Sequence, residues 1–251
     1  MNRSVEELIC ERVKSRGAIH MTLLDPQKMR SSQCADVAAE AEKAGTTAIM
    51  VGGSTLASNS DLDEVVKQIK ARVKVPVILF PNNISGVSRH ADAIWFMSLL
   101  NSHSTYYIID VQALTAQMIR SYSLEAIPMG YIIVGEGGAA GFVGQARVIP
   151  YEHPELALAY SLAAETLGMR FVYLEAGSGA KVPVPPEMIK LVKSNLRILL
   201  IVGGGIRTGV AAKAAVEAGA DIIVTGTLVE ETSKVRESIY KIVSDIESMG
   251  R

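Results

Sequence analysis

ILLIVGGGIRTGVAAKAAVEAGADIIVTGT (198–227) reads as one complete strand–helix–strand unit. Its two ends, 198–203 and 221–225, are short apolar runs of Ile, Val and Leu, as expected of parallel strands covered on both faces. Between them 209–218 has a helical composition, and Gly219 follows where a helix needs a left-handed residue to stop. EKAGTTAIMVGG (42–53) echoes VEAGADIIVTGT (216–227), a sign that the unit repeats. Working outward, six more strands are expected at 18–25, 48–52, 75–80, 93–98, 131–135 and 170–175. Helices are expected at 32–44, 62–72, 111–122, 154–167, 186–194 and 235–248, several ending at Gly (Gly45, Gly168) before the next strand. Eight strands alternating with helices in 251 residues match a single (β/α)8 barrel of the TIM type better than a doubly wound sheet. No Pro/Ser-rich linker divides the chain, so residues 1–251 are read as one domain.

The alternation has one gap. Between PVILFPN (76–82) and ADAIWFMS (91–98) only ISGVSRHA (84–91) intervenes, too short for a crossover helix with its loops. The third helix is therefore expected to be missing or replaced by an extended segment. That would open the barrel wall where a long ligand could enter.

Composition narrows the function. Lys plus Arg number 25 against 26 Asp plus Glu, a net charge of −1, without the basic surplus of a general nucleic-acid binder. A local anion site remains compatible with that balance. Hydrophobic residues make up 49% and the mean hydropathy is +0.25, so a large core and buried subunit interfaces are expected. No apolar run is long enough to span a bilayer, and the charged stretch MNRSVEELICERVKSR (1–16) lacks a signal-peptide core. With Cys10 and Cys34 in helical segments and no C-x-x-C spacing, the expectation is a cytoplasmic protein with reduced thiols.

In such a barrel, function collects at the C-terminal ends of the strands. The seventh strand ends in VGGGIR (202–207) and the eighth in VTGT (224–227). Glycines at 203–205 let backbone N–H groups approach a ligand, and Gly226-Thr227 adds a further N–H and a hydroxyl. Loops seven and eight are the usual phosphate cradle of barrel enzymes. The sixth strand runs into YLEAGSG (173–179), where Tyr173 and Glu175 share a face directed into the mouth. Gly177, Ser178 and Gly179 then form a turn able to donate to the same phosphate. A carboxylate beside a phosphate needs its own task, such as taking a proton from a substrate hydroxyl; the bland alternative is a structural Glu paired with Arg or Lys. Asp25 ends the first strand and is a hard oxygen ligand suited to Mg²⁺, to which Ser54 could add a hydroxyl. By spacing alone Asp25-Pro26 reads equally as a turn.

Other motifs fail. GEGGAA (135–140) imitates a dinucleotide fingerprint, but its continuation, GFVGQARVIP (141–150), does not read as a helix. The four histidines show no metal-ligand spacing, and there is no G-x-S-x-G elbow. LALAYSLAAETL (156–167) has few polar residues on any face, which suits core packing first and an intersubunit contact second.

Taken together, HMTLLDPQK (20–28), IMVGGST (49–55), YLEAGSG (173–179), IVGGGIRT (201–208) and IVTGT (223–227) resemble the geranylgeranylglyceryl phosphate synthase family of archaea and the related bacterial heptaprenylglyceryl phosphate synthases. The resemblance covers about residues 18–230 and implies a barrel without its third helix. It implies transfer of a polyprenyl group to sn-glycerol 1-phosphate, forming the first ether bond of isoprenoid membrane lipids with Mg²⁺ assistance. Carried over by motif, Mg²⁺ lies at Asp25 and Ser54. Glycerol phosphate lies against Tyr173, Leu174, Glu175, Ala176, Gly177, Ser178, Gly179, Gly204, Gly205, Gly226 and Thr227, with Glu175 taking the proton of the C3 hydroxyl. WFMSLLN (95–101) resembles the branch that assembles beyond dimers, so a homo-oligomer, dimer or hexamer, is expected. The competing readings are a longer-chain heptaprenyl enzyme, another phosphate-binding barrel isomerase or lyase, and a non-catalytic prenyl- or phosphate-binding barrel.

Overall fold

Eight parallel strands pair in chain order, and the last pairs with the first, so the sheet closes into a barrel. The computed structural model describes residues 4–53 and 59–248. The strands are β1 (Ile19–Leu24), β2 (Ala48–Val51), β3 (Val77–Leu79), β4 (Ala93–Leu99), β5 (Glu125–Ile133), β6 (Phe171–Glu175), β7 (Leu199–Gly203) and β8 (Ile222–Thr225). Helix α1 (Val5–Arg16) precedes them. The barrel helices are α2 (Ser31–Lys43), α3 (Asn59–Lys70), α4 (Val111–Ser121), α6 (Pro154–Thr166), α7 (Pro186–Asn195), α8 (Gly209–Glu217) and α10 (Val235–Glu247). Two short helices, α5 (Gly138–Val143) and α9 (Thr227–Glu231), sit in the loops after β5 and β8.

Alternation along each strand divides the core. Met21, Met50, Ile78, Trp95, Met129 and Phe171 fill the barrel interior, while neighbours such as Ile49, Leu79, Val172 and Val202 pack under the helices. Helix α1 closes the bottom, with Ile9 and Val13 against that interior. Its start is capped by Ser4 and Glu7 in a capping box. The N–H groups of Val5 and Glu6 also donate to the Glu125 carboxylate at 2.6 and 2.9 Å.

Gly45, Gly168 and Gly219 have φ of +100°, +84° and +113° at their helix ends, as expected of left-handed stops. The third crossover has no α-helix: after β3 a single 3-10 turn, Ile84–Gly86, leads back to β4. The β3–β4 seam is correspondingly short, joining Ile78 to Ala93 and Leu79 to Ile94.

Three elements differ from the sequence-based expectation. Strand β5 begins at Glu125, six residues before the expected start, because its polar first residue, Pro128 and Gly130 interrupt the apolar run. Gly130 has a packing reason: a Cβ there would stand 2.7 Å from Ala164 Cβ, so the Ala-rich α6 can lie close on the sheet. The stretch after GEGGAA, read as non-helical, contains the end of the short α5. The glycines before it still hold no dinucleotide motif. Gly137 N–H donates to Ala176 O at 3.1 Å, and a Cβ on Gly177 would meet Gly137 C at 2.7 Å. They let the loop after β5 press against the loop after β6. Helix α9 is likewise absent from the sequence-based expectation.

Between the sheet and the helices His20 is fully buried, with Nδ1 3.1 Å from Thr46 Oγ1 and Nε2 2.9 Å from Thr225 Oγ1. Burial pushes its pKa down to about 3, so the ring is neutral. The unfolded chain takes up that proton near pH 6.5 and the folded one only near pH 3, so folding loses stability as pH falls across this window. His20→Gln should flatten the acid limb of stability by up to about 1.4 kcal/mol per pH unit between those values. Denaturant titrations at several pH values check this; an unchanged slope would assign the acid sensitivity to other groups.

Candidate active site

One cavity of about 1380 Å³, measured out to its open mouth, joins the C-terminal ends of the strands to the gap left by the missing helix. Its polar half holds Asp25, Tyr173, Glu175, Ser178, Gly204, Gly205, Gly226 and Thr227. Its apolar half runs over β4 to α4, lined by Val87, Ile94, Phe96, Val111 and Ile119. Ile94 and Phe96 occupy the outer face of β4, which a third helix would help to cover in a complete barrel.

Glu175 is buried at the end of β6, 5% exposed. The Tyr173 hydroxyl donates to its carboxylate, and Gly177 N–H donates to Oε1 at 2.7 Å. Burial raises its pKa, against the opposing pull of those two hydrogen bonds. Among the described residues it forms no ion pair with Lys or Arg, so the purely structural reading of this carboxylate lacks its partner. Burial, with the Glu175 charge adding to it, also holds Tyr131 and Tyr173 in the neutral phenol form. Phe80, Tyr131 and Tyr173 pack ring against ring, with centroids 5.3–5.7 Å apart, as an aromatic floor beneath the carboxylate.

The structure brings Ser178, Gly204, Gly205, Gly226 and Thr227 together at one cavity. Gly204 and Gly205 follow each other with φ of +81° and +73°, a conformation that favours glycine. A Cβ on Gly204 would stand 2.5 Å from Glu175 Oε1 and 2.7 Å from Gly177 N. Loops six and eight are tied by Gly179 N–H donating to Thr227 Oγ1 at 3.2 Å. Two of the expected residues sit differently: the side chains of Leu174 and Ala176 point outward into the core under the helices. Ala176 N–H is spent on Gly203 O at 3.1 Å. Gly177 and Gly179 shape the loop while Ser178 faces the cavity.

Asp25 serves as both turn and wall. Its Oδ1 accepts from Gln27 N–H at 3.0 Å, an Asx turn, and the residue still lines the cavity. Gly53 packs directly on its carboxylate, since a Cβ there would stand 2.3 Å from Oδ1. Ser54, the second expected metal ligand, lies outside the described residues. No cluster of three or more His, Cys, Asp or Glu residues able to hold a metal exists among the described residues.

Sequence reasoning passed over Arg207 and Asn82. Arg207 lines the cavity beside the cradle, donates from Nη1 to Ala180 O at 2.7 Å, and has Glu231 3.8 Å from its Nε. It brings a cation to the side of the mouth where the glycine loops lie and ties loop seven to loop six. Its signal was present, as the last residue of VGGGIR. Asn82 tops β3, where only its place at a strand end marked it.

Comparison with known proteins is consistent with this geometry. The profile of the PcrB family matches residues 10–246. A geranylgeranylglyceryl phosphate synthase of Thermofilum pendens is 52% identical over 243 residues, 97% of this chain and 95% of the relative. Its counterpart from Methanothermobacter marburgensis is 52% identical over 231 residues, 92% of this chain and 94% of the relative. The crystal structure of (S)-3-O-geranylgeranylglyceryl phosphate synthase from Thermoplasma acidophilum, in complex with sn-glycerol-1-phosphate, superposes with a TM-score of 0.96 at 44% identity, covering 98% of this chain and all of that one.

Proposed function

The chain belongs to the PcrB family, and we propose from its site that it is a geranylgeranylglyceryl phosphate synthase. It joins the C3 hydroxyl of sn-glycerol 1-phosphate to geranylgeranyl diphosphate in an ether bond and releases diphosphate, a step of archaeal membrane-lipid biosynthesis. The observation that carries this reading is the single cavity in which an anion cradle, a buried carboxylate and a long apolar arm meet. An isomerase or lyase acting on a small phosphate needs the first of these and has no use for the last.

The glycerol phosphate sits with its phosphate at Ser178, Gly204, Gly205, Gly226 and Thr227, a fixed handle that takes no part in bond making. This brings its C3 hydroxyl to Glu175, which accepts the proton as the oxygen bonds to the allylic carbon of the donor. The carbon–oxygen bond to diphosphate breaks and its electron pair leaves with the diphosphate. Tyr173 and Gly177, both donating to Glu175, hold the carboxylate in place. Fixing both substrates in line contributes much of the rate, and the arm beside α4 holds the prenyl tail away from water.

The residues also fit Mg²⁺. One carboxylate, Asp25, backed by a glycine that leaves it space, suits an ion that takes only one or two protein carboxylates and fills its shell from substrate phosphate and water. Asp25, with Ser54, would hold it. An Mg²⁺ held there would supply the Lewis-acid neutralisation that a departing diphosphate needs.

A homo-oligomer, dimer or hexamer, is part of the same reading. Its support is exposed apolar surface: Phe142 is 87% and Leu167 71% exposed, with Leu156 and Leu162 also outward on α6. No helix among the described residues is long and apolar enough to cross a membrane. Two free cysteines support a reducing, cytoplasmic setting.

Radiolabelled sn-glycerol 1-phosphate, Mg²⁺ and a ladder of prenyl diphosphates from C10 to C35 test the proposal. A labelled lipid with its maximum at C20 is expected. A maximum at C35 would reassign the chain to the heptaprenyl activity, and no product with any donor would overturn prenyl transfer altogether.

A further inference from the structure

Among the described residues three buried side-chain polar atoms have no hydrogen-bond partner: Asn82 Oδ1, Trp95 Nε1 and Gln112 Oε1. All three residues line the same cavity. An unmade bond of this kind costs stability and calls for a reason. Trp95 turns into the barrel interior against Phe171, and Gln112 belongs to the stretch over β4 and α4, where a hydrocarbon chain has nothing polar to offer it.

Asn82 stands elsewhere. It follows β3, where the polar mouth turns into the apolar arm and the segment replacing the third helix begins. The loop after β2 separates it from Asp25: a Cβ on Gly52 would strike Phe80 O, and one on Gly53 would strike the Asp25 carboxylate. The cradle glycines lie across the mouth on the loops after β6, β7 and β8. The adjacent Asn83 is engaged locally, its Oδ1 accepting from Ser85 N–H at 2.8 Å and from Ser85 Oγ at 2.5 Å. Two consecutive asparagines thus divide their tasks, one shaping the turn and the other left over for the cavity.

We propose that Asn82 is a binding residue for the diphosphate of the prenyl donor, its side-chain amide donating N–H to a phosphate oxygen beside the allylic carbon. An amide that no acceptor holds can turn about χ2 to present its NH2 in place of its oxygen. A neutral donor here strengthens its hold as charge gathers on the leaving group and leaves Asp25 undisturbed. The inference rests on the prenyl-transfer reading above.

The test compares wild type, Asn82→Ala and the isosteric Asn82→Asp, which sets a negative charge against the diphosphate. Steady-state kinetics give KM for each substrate, calorimetry gives the affinity for inorganic pyrophosphate in the presence of Mg²⁺, and thermal melts check folding. In Asn82→Ala the KM for prenyl diphosphate should rise and pyrophosphate affinity fall, each by about 10–100-fold, the range for a hydrogen bond to a charged group. KM for glycerol phosphate should hold within about twofold, and Asn82→Asp should be worse on the same two readouts. Unchanged pyrophosphate affinity, or a parallel rise in KM for glycerol phosphate, would overturn the assignment. Should the wild type form no ether with any donor, prenyl transfer fails, and equal or undetectable pyrophosphate binding in wild type and Asn82→Ala then overturns the role of Asn82 as well.

Discussion

Asp25→Asn is expected to abolish Mg²⁺-dependent turnover, a loss of at least about 10³-fold if several kcal/mol of leaving-group stabilisation disappear. Glycerol phosphate should still bind, because its cradle lies across the mouth on the loops after β6, β7 and β8. The substitution keeps the shape, and an amide oxygen can still accept from Gln27 N–H, so the turn survives while the charge is removed. A second variant reaches the same point from outside: Gly53→Ala drives a methyl to 2.3 Å from Asp25 Oδ1 and should show the same defect with the charge intact. Single-turnover assays across a Mg²⁺ titration, beside calorimetry with glycerol phosphate, separate the two steps. Turnover at the wild-type level in Asp25→Asn would refute the metal assignment.

The second large effect belongs to Glu175. Glu175→Gln should lower kcat by about 10²–10⁴-fold, the range for loss of a positioned base. The base works only when ionised, and burial raises its pKa, so wild-type activity should fall on the acid side from a pH above the ordinary carboxylate range. The glutamine variant should lose that limb. Stability runs the other way. Because the folded protein holds this proton more tightly than the unfolded chain, stability is lost as pH rises and the buried group ionises. Glutamine never ionises, so the variant should melt no lower than wild type at neutral pH. A loss under tenfold, or a retained acid limb, would send the proton elsewhere.

The barrel was legible because most of its strands are short apolar runs and several of its helices stop at glycine, and the missing helix because a crossover cannot be shorter than its own geometry. What sequence hid is also physical. Pro128 and Gly130 break the apolar run of β5, yet one stands just ahead of the β5–β6 pairing, which begins at Met129, and the other makes room for α6. Tyr173, Glu175 and the cradle glycines were readable because alternation and loop position place them. Leu174 and Ala176, named by motif alone, turn their side chains away from the mouth by that same alternation. Arg207 and Asn82 escaped because an arginine or an asparagine after a strand carries no periodic signal. Their roles come from which loop they face.

The short β3–β4 seam gives the prenyl tail a second meaning. In a complete barrel a helix would lie over Ile94 and Phe96 and contribute its apolar face to the core. Here that place is lined by Val87, Val111 and Ile119 and forms part of the cavity. On the reading proposed above, a bound hydrocarbon chain would finish the fold as well as enter the reaction. Any ligand that binds only the folded state raises its stability by mass action, and this one does so at the thinnest part of the wall. On the prenyl-transfer reading, the enzyme would be most stable while it holds its lipid, and each release would remove that support from the wall.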